Sequence, residues 1–191
     1  MTDTSDVERP SRPTVVFLDR DGTIIEDVHY LSRPEQVHLI PGAAQAIVRI
    51  NHAGIPVVLV TNQSGIARGY FTVDDYERAH ARLVALLADE GAHLDGAYYC
   101  PHLPEHSGPC SCRKPSSLLF RQAIAELALD GSHPVFIGDK WRDLQPMHEL
   151  GGAGYLIPSG DTSEEDVDRA RAEANVVPSI TDAVDLALGR Q

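Results

Sequence analysis

Five short, continuously apolar runs alternate with helical patterns along this chain of 191 residues. The runs are TVVFL (14–18), IPVVLV (55–60), GAYY (96–99), PVFI (134–137) and GYLI (154–157). Unbroken apolar runs are typical of strands that are covered on both faces, because a strand with one wet face alternates. Strands that alternate with helices form parallel sheets. The sequence therefore predicts an α/β fold with a mostly parallel sheet and helices on both of its faces.

Six segments between or after these runs have helical patterns. They are GAAQAIVRINHAG (42–54), TVDDYERAHARLVALLADEG (72–91), SSLLFRQAIAELAL (116–129), DLQPMHELG (143–151), SEEDVDRARAEA (163–174) and SITDAVDLAL (179–188). The second segment opens with Thr72 and Asp75 at capping-box spacing. The stretch 100–115 has no periodicity and contains all three cysteines, so we expect a loop there.

Length and charge limit the partners of this chain. Its 191 residues fit one domain, which is expected over 14–191. The polar segment 1–13 is predicted to be a disordered tail and not a secretory signal.

The net charge of -12 disfavours nucleic acid and anionic membranes, whose phosphates bind Lys and Arg clusters. No apolar run approaches the roughly 18 residues of a membrane helix. We expect a cytoplasmic monomer, and local cations would still allow a small phosphorylated substrate.

Polar clusters follow three of the predicted strands. DRD (19–21) comes after the first strand, TNQS (61–64) after the second and GDK (138–140) after the fourth. Ligands of open α/β sheets bind outside the carboxyl ends of the strands. We therefore expect the three clusters to meet in one site.

Carboxylates in two of these clusters predict a magnesium site. Asp19 and Asp21 lie two positions apart in one strand-end turn, and Asp139 is expected beside them. Mg²⁺ prefers oxygen ligands of this kind. A D-x-D pair taken alone is also compatible with a solvated turn or a helix N-cap, so the prediction depends on the other clusters.

The segment CPHLPEHSGPCSC (100–112) predicts a structural zinc site. Its candidate ligands are Cys100, His102, Cys110 and Cys112. Three thiolates and one imidazole make a closed set, which is typical of structural zinc. Two alternatives remain, a disulfide between Cys110 and Cys112 and a zinc ligand at His106 in place of His102. A loop rich in Pro and Gly has no core of its own, so metal binding would stabilise it.

Four motifs resemble those of the haloacid dehalogenase (HAD) superfamily of phosphotransferases. They are DRDGTII (19–25), VTNQSG (60–65), CRKP (112–115) and GDKWRD (138–143). The resemblance implies a Rossmann-like HAD core. It also implies an enzyme that transfers a phosphoryl group first to an aspartate and then to water.

The resemblance gives the matching residues of the first three motifs a catalytic role. Asp19 would be the nucleophile. Asp21 would protonate the leaving oxygen and then deprotonate the hydrolytic water. Thr61 would bind phosphoryl oxygens together with nearby backbone N–H groups, and Lys114 would neutralise charge on the transferring group.

The fourth motif is implied to complete the metal site. Asp139 would join Asp19 and Asp21 as ligands of Mg²⁺. Asp143 would support the site by orienting Lys114 or a metal-bound water.

Longer stretches of the sequence restrict the resemblance to particular families of this superfamily. The chain is similar to D-glycero-D-manno-heptose 1,7-bisphosphate 7-phosphatases and, more distantly, to histidinol phosphatases. The similar segments are FLDRDGTI, TNQSGIARGYF, the two ends of the zinc segment and GDKWRD. Both families lack a separate cap domain. The resemblance implies removal of the C7 phosphate, giving heptose 1-phosphate for nucleotide-activated heptose synthesis. The alternatives are histidinol phosphate or another small sugar phosphate as substrate, a polynucleotide 3′-phosphatase, and a non-catalytic zinc-stabilised binding module. The acidic composition disfavours the polynucleotide, and the presence of all four motifs disfavours the module.

The resemblance also implies a set of substrate contacts. They are Asp27, Val28, His29, Tyr30, Thr61, Asn62, Gln63, Ser64, Arg113, Lys114 and Lys140. A bisphosphate needs a second cation away from the nucleophile, and the planar fork of Arg113 suits that role. The chain departs from the family after CRKP, where SSLL (116–119) replaces a Pro-Gly-Met-like turn.

Overall fold

The computed structural model describes residues 12–189 of the chain. The predicted tail, 1–13, lies outside the described residues except at its last two positions. Pro13 is buried, and the Arg12 guanidinium donates a hydrogen bond to the carbonyl of Ala53. The predicted domain, 14–191, is therefore described up to residue 189.

Six parallel strands form one sheet within residues 12–189. They are β1 (Val15–Leu18), β2 (Val57–Asn62), β3 (Gly96–Cys100), β4 (Pro134–Gly138), β5 (Ala153–Leu156) and β6 (Asn175–Val176), in the spatial order β3-β2-β1-β4-β5-β6. All five predicted strands are present, so the parallel α/β fold is confirmed. The short β6 was not predicted.

Helices connect the strands. They are α1 (Ala43–His52), α2 (Ser64–Ala67), α3 (Val73–Asp89), α4 (Pro104–Ser107), α5 (Leu118–Glu126), α6 (Trp141–Leu144), α7 (Met147–Leu150), α8 (Glu164–Glu173) and α9 (Ile180–Ala187), with a 3₁₀ turn at Pro34–Gln36. The capping box of α3 is confirmed, because Thr72 N–H donates to the Asp75 carboxylate (2.8 Å) and Asp75 N–H donates to the Thr72 hydroxyl (3.2 Å). In the part of the chain that the structure describes, no helix is both long and apolar enough to cross a membrane.

One predicted helix is wrong in its extent. The segment 143–151 is divided between α6 and α7, and Pro146 lies at the break. Proline lacks the N–H that a continuous helix needs, and its ring collides with the preceding turn. Asp143 therefore lies in a four-residue helix, α6, where it is buried.

The side chains of β1 enter two hydrophobic clusters on opposite faces of the sheet. Val16 and Leu18 belong to the cluster that includes α1, α3 and α9. Val15 and Phe17 belong to the cluster that includes α5 and α6, where the Phe17 ring stacks on Phe136 of β4 at 5.5 Å between centroids. Burial of each large apolar side chain contributes about 1.5–3 kcal/mol. The unbroken apolar sequence of β1 thus reflects packing on both faces.

The order of the strands creates a crevice between β1 and β4. The chain proceeds from β1 to β2 and β3 on one side and then returns to place β4 on the other side. Ligands bind at such a switch point in open α/β sheets. Glycine at position 22 allows the turn after β1 to approach Asp139 closely, because a Cβ at this position would lie 2.7 Å from Oδ2 of Asp139. Its φ of +75° also favours glycine.

Candidate active site

The polar clusters that follow β1, β2 and β4 line one cavity of about 300 Å³. Most of the predicted site residues line it, namely Asp19, Asp21, Asp27, His29, Tyr30, Thr61, Asn62, Gln63, Ser64, Lys114, Asp139 and Lys140. Val28 and Arg113 are not among the lining residues. Val28 is half-buried and packs on the core cluster under α1 instead, because its apolar side chain gains more from that contact than from a polar cavity. Its predicted substrate contact is therefore not part of this geometry.

Lys114 is the centre of a buried charge cluster at the base of the cavity. Its Nζ lies 2.7 Å from Oδ1 of Asp19 and 2.7 Å from Oδ1 of Asp143, and it donates to the Val60 carbonyl at 2.7 Å. Burial opposes the charge of Lys114, but the carboxylates of Asp143 and Asp19 favour it, and the pKa of Lys114 is raised. The ammonium group therefore stays protonated and holds the two carboxylates together.

Asp139 adds a third buried carboxylate to this cluster. Oxygens of Asp19, Asp139 and Asp143 all lie within 4.8 Å of one another. Burial, together with the charges of Asp19 and Asp143, raises the pKa of Asp139 to about 6. The three carboxylates outnumber the two ammonium groups beside them, Lys114 and Lys140, the latter 3.2 Å from Asp139. A site with this excess of buried oxygen charge fits a hard divalent cation such as Mg²⁺.

Asp21 occupies a different position from the one expected for a metal ligand. Its carboxylate accepts two hydrogen bonds from the Arg20 guanidinium (both 3.1 Å) and one from the Gln63 amide (2.9 Å). It is not part of the carboxylate cluster, and Asp143 takes that place. The bidentate Arg20 contact accounts for this orientation, since paired N–H donors fix a carboxylate in one plane. The structure thus differs from the expected set of Asp19, Asp21 and Asp139.

Arg20 is a site residue that the sequence reasoning missed. It is 1% exposed, and its guanidinium lies 5.3 Å from the ring centroid of Tyr76 in α3. It also donates to the Gln63 side chain (3.1 Å), which in turn donates to the Thr61 hydroxyl (2.9 Å). Arg20 therefore links the ends of β1 and β2. Its position between two aspartates was the available signal, because a buried cation there would have carboxylate partners.

Asn62 attaches the CRKP segment to the end of β2. Its side-chain carbonyl accepts from Lys114 N–H (3.0 Å), and its amide donates to the Lys114 carbonyl (3.2 Å). This pair of bonds fixes the backbone of Lys114 from both sides. The contact explains how a loop residue reaches the buried base of the cavity.

The predicted zinc ligands are brought together by the loop after β3. One ligand atom from each of Cys100, His102, Cys110 and Cys112 lies within 4.8 Å of the others. The three cysteines are free, so the alternative disulfide is not formed. His106 is exposed and is not one of the grouped residues. Three sulfurs and one ring nitrogen in a closed group fit Zn²⁺.

Arg113 is directed toward this Cys/His group. Its guanidinium donates to the carbonyl of His102 (3.3 Å), and the side chain is half-buried. Arg142 of α6, which was not predicted, lines the active-site cavity. Burial lowers the pKa of Arg113, and the positive charge of Arg142 lowers it further.

This fold and this site define a class of enzyme. A parallel sheet with an acidic motif after β1, a hydroxyl after β2, a buried lysine and a further pair of acids after β4 is the arrangement of HAD phosphatases. Models of two families match the chain, "haloacid dehalogenase-like hydrolase" over residues 16–73 and "HAD-hydrolase-like" over residues 111–183. The chain is a HAD hydrolase that acts on phosphoric monoesters.

Curated relatives define the family more narrowly. The chain is 40% identical over 185 residues to D-glycero-beta-D-manno-heptose-1,7-bisphosphate 7-phosphatase of Pasteurella multocida, covering 91% of this chain and 96% of the relative. It is 42% identical over 158 residues to D-glycero-D-manno-heptose-1,7-bisphosphate 7-phosphatase of Thermosynechococcus vestitus, covering 78% of this chain and 80% of the relative. The chain belongs to the D-glycero-D-manno-heptose 1,7-bisphosphate 7-phosphatase family.

Two solved structures agree with this family assignment. D,D-heptose 1,7-bisphosphate phosphatase of B. bronchiseptica, complexed with magnesium and phosphate, superposes with a TM-score of 0.82 at 30% identity and covers 92% of this chain and 98% of that one. A HAD-like phosphatase of Mesorhizobium loti superposes with a TM-score of 0.77 at 33% identity, covering 93% and 88%. The fold of the whole described chain is thus that of this family.

Proposed function

We propose that the chain removes the C7 phosphate of D-glycero-D-manno-heptose 1,7-bisphosphate and releases heptose 1-phosphate for nucleotide-activated heptose synthesis. The observation that carries the proposal is the Lys114–Asp19 pair, which stands at the base of a cavity whose lining residues suit a phosphorylated sugar. Relatives at 40% identity are named for this reaction. We expect the enzyme to act as a cytoplasmic monomer on this small substrate.

Asp19 is the proposed nucleophile. A carboxylate oxygen of Asp19 forms a bond to phosphorus while the bond between phosphorus and the C7 oxygen breaks. Lys114 restrains the orientation of Asp19 and offsets charge on the transferring group, and the Thr61 hydroxyl binds a phosphoryl oxygen. Because Lys114 is held by three oxygen partners, little reorganisation is needed before attack.

Asp21 is the proposed acid and base. In the first step it gives a proton to the C7 oxygen as that oxygen leaves. In the second step it accepts a proton from water, whose oxygen attacks phosphorus and frees the carboxylate of Asp19. Arg20 and Gln63 position Asp21 for both transfers. Since its carboxylate lies outside the acid cluster, we assign it this role and not that of a metal ligand.

Two metals are proposed. Asp19 and Asp139 would hold Mg²⁺, with Asp143 supporting them through Lys114. When bound, Mg²⁺ would neutralise charge on the transferring phosphoryl group. Zn²⁺ would be held by Cys100, His102 and the two remaining cysteines, and would stabilise the loop that leads into Lys114.

We expect chelation to separate the two metals. Mild EDTA should stop phosphate release by removing oxygen-bound Mg²⁺, and added Mg²⁺ should restore it. Zinc on three thiolates should resist the same treatment, because softer ligands bind it more tightly. Elemental analysis after dialysis should then find about one zinc per chain, as a closed four-ligand site requires.

Cys112→Ser and Ser111→Ala form a matched pair for this experiment. Cys112→Ser removes one sulfur of the group and should lower the zinc content, whereas the neighbouring exposed Ser111 is not one of the grouped residues. Full zinc loss under mild EDTA, or zinc-free protein purified without chelator, would contradict the four-ligand site.

The substrate is tested by phosphate release with Mg²⁺. The panel contains both anomers of heptose bisphosphate, histidinol phosphate and simple sugar phosphates. We expect the highest kcat/KM for one heptose bisphosphate anomer. A higher value for histidinol phosphate would assign the alternative substrate, and release from no compound would favour the non-catalytic module.

A further inference from the structure

We propose that Ser159 positions the carboxylate of Asp139 for the metal ion of the active site. Ser159 lies in the loop between β5 and α8 and was not among the predicted site residues. The inference rests on the proposed Mg²⁺ site and extends it to a positioning residue, because Ser159 would act on the metal only through Asp139.

Ser159 donates a hydrogen bond to the Asp139 carboxylate. Its hydroxyl lies 2.7 Å from Oδ2 of Asp139. The Lys140 ammonium group lies 3.2 Å from the same oxygen, but its Nζ is buried and makes no hydrogen bond with any residue in 12–189. Ser159 is therefore the side chain in this part of the protein that fixes the direction of the Asp139 carboxylate.

The other oxygen of Asp139 remains available for a metal ion. Within residues 12–189, Ser159 and Lys140 both contact Oδ2, and Oδ1 accepts no hydrogen bond. The terminal torsion of an aspartate is broad, so a carboxylate without a partner samples many orientations. A donor on Oδ2 limits this rotation and holds Oδ1 in one direction. Hydrogen bonds of this kind orient the carboxylates that bind metals in proteins.

The loop that carries Ser159 is attached to Asp139 at a second point. The Thr162 hydroxyl donates to the Asp139 carbonyl (2.8 Å) and accepts from Ser159 N–H (2.7 Å). Asp161 N–H donates to the Ser159 hydroxyl (3.3 Å). These bonds fix both the backbone and the hydroxyl of Ser159 relative to Asp139. The carboxylate is thus preorganised, which lowers the entropic cost of binding a metal ion.

The surroundings of Ser159 allow its substitution without a change in a packed core. Ser159 is half-buried and lines a cavity of about 470 Å³. Ser159→Ala should therefore leave the chain folded, and the added methyl group of Ser159→Thr has room in the same cavity. The first variant removes the donor to Asp139, and the second keeps it.

The test measures metal binding in the absence of substrate. Mn²⁺ takes the same oxygen ligands as Mg²⁺, and electron paramagnetic resonance measures the concentration of its free ion. In protein purified without chelator, Ser159→Ala should raise the dissociation constant for Mn²⁺ roughly tenfold to hundredfold, as is typical for loss of a hydrogen bond to a metal ligand. Ser159→Thr should recover most of this loss, because it restores the hydroxyl.

Ser179→Ala is the matched control. Ser179 is also half-buried and lines the same cavity, but its hydroxyl accepts from Asp182 N–H (3.2 Å) at the start of α9 and makes no hydrogen bond to Asp139. Loss of this helix cap should lower Tm and leave the dissociation constant for Mn²⁺ unchanged. A merely structural role of Ser159 predicts the same result for Ser159→Ala.

Phosphate release provides a second readout. In Ser159→Ala, the Mg²⁺ concentration that gives half-maximal hydrolysis of para-nitrophenyl phosphate should rise by the same factor as the dissociation constant for Mn²⁺. Added Mg²⁺ should recover the lost activity, because the nucleophile Asp19 is unchanged.

Asp139→Asn distinguishes failure of the inference from failure of the metal site on which it rests. Weaker Mn²⁺ binding in Asp139→Asn, together with wild-type binding in Ser159→Ala, would overturn the role of Ser159 alone. Wild-type binding in Asp139→Asn would show that Asp139 is not a ligand, and the inference would be overturned together with the proposed metal site. Because the binding measurement uses no sugar phosphate, its result does not depend on the proposed substrate.

Discussion

Asp19→Asn is expected to lower kcat by on the order of a thousandfold or more while the chain stays folded. The amide has the size of the carboxylate but lacks the charge that attacks phosphorus. The loss should be equal for heptose bisphosphate and para-nitrophenyl phosphate, because Asp19 acts on the group that both transfer. Phosphate release at saturating substrate measures it.

The same substitution should not weaken the fold. Asp19 is one of three buried carboxylates that lie within 4.8 Å of one another, so removal of its charge reduces their repulsion. Lys114 keeps Asp143 and the Val60 carbonyl as partners. Thermal unfolding without Mg²⁺ should therefore give a Tm equal to or above that of the wild type. A folded variant that retains a tenth of wild-type turnover would show that Asp19 is not the nucleophile.

Lys114→Met is expected to damage both stability and activity. Methionine has a similar shape but leaves Asp19 and Asp143 buried without their common cation. Removal of one partner from a buried ion pair costs about 3–5 kcal/mol. Urea unfolding in Mg²⁺-free buffer should show a loss of this size, and phosphate release should fall for every substrate because the transferring group loses its cation.

A double variant provides the control for that prediction. Lys114→Met leaves the carboxylates of Asp19 and Asp143 without a cation, and the added Asp143→Asn removes one of these two charges. The double variant should therefore be more stable than Lys114→Met alone by about 0.5–3 kcal/mol. Asp143→Asn alone should destabilise the wild-type background less than Lys114→Met does, since Lys114 then still binds Asp19. Equal stability of the single Lys114 variant and the wild type would contradict the central role of Lys114 in the fold.

The strands were predictable because their burial is continuous. Each of the five apolar runs is a strand, and the side chains of β1 alternate between two clusters. β6 has only two residues, one of them Asn175, and no apolar run marks it. The segment 143–151 is divided at Pro146 because proline interrupts a helix. The prediction missed this break because the helical periodicity continues on both sides of the proline.

The residues of the site were predictable from the sequence, but the positions of their side chains were not. Motif spacing placed acids after β1 and β4, and those acids do meet. It did not indicate that the Asp21 carboxylate lies outside the cluster, because its position depends on Arg20 and on Gln63, which is 42 positions further along the chain. The direction of the Arg113 side chain toward the His102 carbonyl depends in the same way on contacts of the folded zinc loop.

The central place of β1 in the sheet has a consequence for biosynthesis. β1 pairs with β2 on one side and with β4 on the other, and β4 is translated much later. Until residues 134–138 leave the ribosome, one edge of β1 has unpaired N–H and C=O groups, and Phe17 lacks the ring of Phe136. An open apolar edge is a template for pairing with other chains. Because Asp139 and Asp143 follow β4 directly, the nascent chain acquires its acid cluster only as it closes that edge. We therefore expect interrupted chains to be both inactive and prone to aggregate.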